Sequence, residues 1–96
     1  KKGLMYRDNI DKDFGMLFIW DKKEIQCMWM KNTSIPLSIA FIKEEGVISD
    51  IYNLYPFSTL SVCSTDKVKY ALEVNRDWFK RNEINRGDTV ISSQIK

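Results

Sequence analysis

The sequence predicts a mainly β fold: a small antiparallel sheet curled into a partly open barrel, with one short helix near residues 77–84. Three observations predict it. Apolar runs of five to seven residues recur along the chain, each bounded by Gly, Pro, Asp or Asn. A single internal stretch, DWFKRNEI, reads as helix. The chain has 96 residues, enough for one domain (1–96) with a modest core, and many short strands share such a core best when their sheet curls.

In chain order, GMLFIW (15–20) is a dense apolar run between DNIDKD and DKKE, as expected of a well-buried strand. EIQCMWM (24–30) follows closely, so the two are expected to form a hairpin around Asp21–Lys23. Ile25, Cys27 and Trp29 would share one face of that second strand, and Gln26, Met28 and Met30 the other. LSIAFIK (37–43) and VISDIY (47–52) flank EEG, a second hairpin in which Gly46 is free to take positive φ. VKYALEV (68–74) alternates, with Val68, Tyr70, Leu72 and Val74 on one face and Lys69, Ala71 and Glu73 on the other. In 77–84, Asp77 is placed to cap a helix that Trp78 and Phe79 dock, and Gly87 lies just past its end. TVISS (89–93) reads as a last strand.

Composition narrows function mainly by exclusion. Fifteen Lys and Arg against thirteen Asp and Glu give a net charge of +2, too balanced for a dedicated polyanion binder, and no nucleic-acid partner is expected. Trp20, Trp29, Phe41, Tyr70 and Trp78 fall where core residues are expected, rather than among basic residues on an open face. No apolar run approaches the ~20 residues of a transmembrane helix. Histidine is absent, which removes the commonest general base and metal ligand. Asp8, Asp11 and Asp13, in DNIDKDFG, stop short of a calcium loop, which needs regularly spaced oxygens with a glycine and a closing glutamate. Neither a metal nor a cofactor is expected. Cys27 and Cys63 are expected as two buried free thiols, with a mutual bridge as the alternative.

The segment CMWMKNTSIP (27–36) raises the functional question, because its apolar strand runs directly into Lys31, Asn32, Thr33 and Ser34. One reading is a turn: Asn, Thr and Ser bond nearby backbone, and Pro36 holds Ile35 extended. The other is a ligand pocket, in which donor and acceptor groups converge beside apolar walls.

Here the residues resemble a known family. GLMYR (3–7), GMLFIW (15–20), WMKNTSIPL (29–37), IAFI (39–42), YALEVN (70–75) and INRGDTV (84–90) stand in the order and spacing of the domain of unknown function 192 family, a group of small bacterial and archaeal proteins. The resemblance spans nearly the whole chain. It implies a compact, barrel-like β fold, and export signals or lipid anchors in many members; it carries no assigned activity. Family members typically have a strand and helical segment before GLM. KKGLMYR therefore reads as the remnant of an N-terminal helix, and the domain as one lacking its N-terminal strand. An exported or periplasmic location is implied by kinship alone.

The chain departs from the family pattern at Met28, usually aromatic, at Ser38, usually Asp, and at Arg76 and Asp77, usually a small residue and glycine. Among the signature positions, Arg7, Lys31, Asn32, Thr33 and Glu73 are hardest to explain by packing. Arg7 or Lys31 paired with Glu73 would lock the fold. Alternatively, these residues with Met5 and Met30 line a site for a small polar or anionic ligand, or for a protein partner. Further alternatives are a protein-interaction module, or a hydrolase or transferase acting on carbohydrate or cell-envelope material with Glu73 as acid–base and Lys31 as electrophile.

Overall fold

The computed structural model describes residue 11 and residues 13–90. Among the described residues, six strands and one short helix follow in order: β1 (Gly15–Glu24), β2 (Cys27–Met28), β3 (Leu37–Ile42), β4 (Ile48–Leu54), β5 (Val62–Cys63), β6 (Val68–Asn75) and α1 (Trp78–Arg81). The class is mainly β. One antiparallel sheet has the order β1-β6-β3-β4, and β2 pairs with β5 in a second, two-stranded sheet. The two sheets do not close on each other, so the barrel is open.

LSIAFI occupies an interior position of the large sheet, with β6 and β4 beside it, and all six of its residues are buried. On one face, Leu37, Ile39 and Phe41 gather with Phe18, Ala71 and Leu54. Met30 and Ile35 complete that cluster, with Met28 and Val62 packed against it. On the other face, Ala40, Ile42, Ile48 and Val74 meet Phe79, with Tyr70, Leu72, Trp78, Ile84 and Val90 around them. Burial on both faces explains why β3 carries so few polar residues.

The β3–β4 hairpin forms as expected, with Leu37 opposite Leu54 and Ile42 opposite Ile48. Gly46 takes φ 93° in its turn. Beyond Leu37 and Leu54 the two chain segments stay paired. Phe57 N–H donates to the Thr33 carbonyl at 2.9 Å and Met30 N–H to the Ser58 carbonyl at 3.1 Å. Met28 then lies opposite Val62, and Cys27 opposite Cys63. The small sheet is thus the far end of one long, irregular ribbon that bends over the first core face.

Several expectations are corrected. No hairpin forms around Asp21–Lys23: β1 continues to Glu24 and pairs with β6, Leu17 opposite Leu72. DKK holds no glycine or asparagine to accept the positive φ of a tight reversal, so the chain stays extended. Cys27 and Cys63 form a disulfide rather than two free thiols, because ribbon pairing puts them directly opposite each other. Both are exposed, and Trp29 is exposed too, so neither Cys27 nor Trp29 belongs to the core. Asp77 flanks α1 without a side-chain cap bond. The last strand appears only as a bridge between Val47 and Thr89; residues 91–93 lie outside the described residues, as does the N-terminal helix remnant.

Candidate functional site

The site residues named from sequence divide three ways. Met5 and Arg7 lie outside the described residues. Met30, Lys31, Asn32 and Thr33 form one turn in the ribbon, and Glu73 stands on β6.

Within the turn, burial alternates. Met30 is a core residue. Lys31 is exposed, with its ammonium 5.5 Å from the centre of the Trp29 ring. Asn32 takes φ 60°, a left-handed conformation that asparagine tolerates better than most side chains. Thr33 is buried; its N–H donates to the Met30 carbonyl at 3.0 Å, and its carbonyl accepts from Phe57. Asn32 and Thr33 therefore build the turn, while Lys31 and Trp29 are what the turn displays.

The facing segment, YPFSTL (55–60), is the part that sequence reasoning missed. Trp29 is 48% exposed, Tyr55 60%, Phe57 63% and Leu60 78%. These four large side chains stand in water on two loops tied by backbone hydrogen bonds. Phe57 takes φ 61°, where a bulky side chain is a conformational outlier. Such strain persists only where surrounding structure enforces it, and it clusters at functional sites. A cue was present in the sequence: three bulky apolar residues interspersed with Pro56, Ser58 and Thr59 cannot all turn inward from a short loop.

Arg76 braces this surface from below. Its Nη2 donates to the Leu54 carbonyl at 2.8 Å, and its guanidinium carbon lies 4.7 Å from the centre of the Tyr55 ring. The Ser38 hydroxyl donates to the Arg76 carbonyl, 2.6 Å away. Two of the departures noted in the sequence are thus in direct contact.

Glu73 is a different kind of feature. It lies opposite Met16 on β1 and Ile39 on β3, and is only 4% exposed. No hydrogen bond or ion pair from a described residue reaches its carboxylate, and Lys31 is not paired with it. Burial among apolar neighbours pushes its pKa up to about 7. Asp50, also buried, shows the contrast. Burial works to raise its pKa, but the Thr65 hydroxyl at 2.8 Å, the Thr65 amide, Ser49 and the charge of Arg86 together hold it below the ordinary carboxylate value.

Cavities are also lined by described residues. One, of about 630 Å³, sits on the second sheet face between Leu17, Ala40, Leu72 and the Trp78–Val90 segment. A smaller one, about 270 Å³, is lined by Ser38, Asn53, Arg76 and Arg86 among others. Among the described residues no group of acids and cysteines could hold a metal ion, and no helix is long and apolar enough to cross a membrane.

Comparison with known proteins agrees with the resemblance. The model of the DUF192 family, described as uncharacterized ACR, matches residues 1–92. A structure from Sinorhizobium meliloti 1021, provisionally described as a transcription regulator, is 40% identical with a TM-score of 0.87. The match covers 92% of this chain and 69% of that one. A protein of unknown function from Novosphingobium aromaticivorans DSM 12444 is 30% identical with a TM-score of 0.87, over 92% of this chain and 64% of that one. The chain thus spans about two thirds of the length of each. No curated protein matches it.

Proposed function

This chain belongs to the DUF192 family, and on that premise we propose that it is a non-catalytic recognition domain whose paired loops, 29–34 and 55–60, bind a protein partner. The observation that carries this reading is the exposure of Trp29, Tyr55, Phe57 and Leu60 on two loops fixed to each other by hydrogen bonds. Large apolar side chains displayed together mark interaction sites, and rigid aromatic anchors supply most of the energy at such interfaces. Lys31, exposed beside Trp29, adds a cation at the rim. A matching partner segment presents apolar side chains with a carboxylate next to them. Loops that project side chains outward suit a macromolecule better than a small ligand, which needs a concavity. The exposed disulfide supports an oxidising compartment, in keeping with the exported location that kinship implies.

Peptide-display selection on the immobilised domain tests this reading, with counter-selection on a Trp29→Ala/Lys31→Ala/Phe57→Ala variant. Enrichment of peptides combining Leu or aromatic residues with Asp or Glu, bound at least tenfold more weakly by the variant, is expected. Peptides that bind both proteins equally would sink it.

A second reading rests on Glu73, whose raised pKa is one that acid–base catalysis can use. It requires a substrate path to a carboxyl enclosed by Met16 and Ile39. Peptide binding that survives Glu73→Gln supports the recognition reading. Turnover of any carbohydrate substrate that Glu73→Gln abolishes supports the catalytic one.

A further inference from the structure

We propose that the Cys27–Cys63 disulfide is a redox clasp on the two-loop surface, so that a dithiol reductant releases the ribbon end and weakens partner binding. The inference rests on the recognition reading for its consequence, though not for its structural part.

Three observations support it. Both cysteines are exposed, so an attacking thiolate can reach either sulfur. Exposed disulfides are also the more readily reduced ones. Second, beside the packing of Met28 and Val62 against the core, few backbone hydrogen bonds hold the ribbon end. The β2–β5 ladder is two residues long, supplemented by Ser64 N–H donating to the Gln26 carbonyl at 2.9 Å and Gln26 N–H to Ser64 Oγ at 3.1 Å. A ladder this short is marginal in water without a covalent tie. Third, the clasp sits at the root of both loops: Cys27 is two residues from Trp29, and Cys63 is three from Leu60. The four-stranded sheet has its own ladders and two core faces, so opening is confined to the ribbon.

The exchange balances with the reductant alone. One thiolate of the dithiol attacks Cys27 or Cys63 and the S–S bond breaks, giving a mixed disulfide and a free cysteine. The second thiol of the reductant then displaces the protein sulfur. Two electrons and two protons pass to the protein, which ends with two thiols, and the reductant ends as a disulfide.

Hydrogen exchange on the intact protein, reduced in place with dithiothreitol and then reoxidised, tests the structural part without a partner. On reduction the Ser64, Gln26 and Met30 amides should gain at least tenfold more in exchange rate than the Ile39, Phe41 and Leu72 amides, whose smaller gain reports the shared loss of global stability, and reoxidation should restore protection. If the sheet amides accelerate equally, the bond is a global stabiliser. If the Ser64 and Met30 amides do not change, it is inert; either result overturns the clasp. A peptide selected on the oxidised domain should bind the reduced one at least tenfold more weakly, and unchanged affinity after local release would also overturn the proposal. If no peptide can be selected, the recognition reading fails, and the exchange result still decides the clasp.

Discussion

Glu73 and Phe57 each carry a cost to the fold that is visible in the structure. The folded Glu73 carboxyl keeps its proton up to about pH 7, whereas an unfolded chain releases it near the ordinary glutamate value of 4.5. The folded state therefore holds the extra proton between these values, and stability falls as pH rises through that window. The loss on the alkaline side is roughly 3 kcal/mol. Glu73→Gln is expected to flatten this slope and to raise the urea midpoint at pH 8, as read by equilibrium unfolding at pH 5 and pH 8. Phe57 is strained by its positive φ and gains little burial in return. Phe57→Gly is thus expected to leave stability unchanged or raise it by up to about 1 kcal/mol, since glycine adopts that conformation without steric cost. A loss above about 1 kcal/mol would mean that the ring packs in a way its exposure does not suggest.

Among the elements, the ribbon is the informative one, and sequence reasoning divided it wrongly. The β3–β4 hairpin was legible because Gly46 marks its turn between two apolar runs. Its continuation was not, because the pairing of residues 29–34 with 55–60 runs through backbone groups that no side-chain pattern reveals. EIQCMWM looked like a partner for GMLFIW because the two are adjacent in sequence. Adjacency failed, as Asp21–Lys23 offer no turn chemistry and β6 supplies the better match. The disulfide follows from that same pairing, so misplacing the ribbon hid it. Two measurements probe these elements. Cys27→Ser/Cys63→Ser is expected to cost roughly 2–4 kcal/mol in chemical denaturation, because the bond closes a loop with a sequence separation of 36. In the hairpin turn, a Cβ at Gly46 would come within 2.9 Å of the Val90 carbonyl, on a backbone already at φ 93°. Gly46→Ala is therefore expected to cost about 1–3 kcal/mol, measured the same way.

For the molecule as a whole, class, antiparallel character and kinship were legible in the sequence, since strand spacing and the WMKNT and GMLF motifs carry them. Which polar residues face water was not. Glu73 and Lys69 occupy equivalent positions in the alternation, yet Glu73 is enclosed by its neighbours on β1 and β3. Asp50 and Glu73 oppose each other in the global pH response. Hydrogen bonds hold the folded Asp50 pKa down, so its contribution is present above the unfolded carboxylate pKa and is lost as pH falls. Glu73 loses its contribution as pH rises from 4.5 to about 7. Thermal unfolding should therefore show greatest stability near about pH 5, on the acid side of neutrality.

The central claim is that the paired loops bind and the opposite face does not. Amide chemical-shift mapping of a selected peptide on the labelled domain tests it most directly. The account expects saturable shifts at Trp29, Lys31, Asn32, Phe57 and Leu60, absent from the Phe57→Ala variant. Shifts centred instead on Leu72, Trp78 and Ile84, around the apolar cavity, would contradict it.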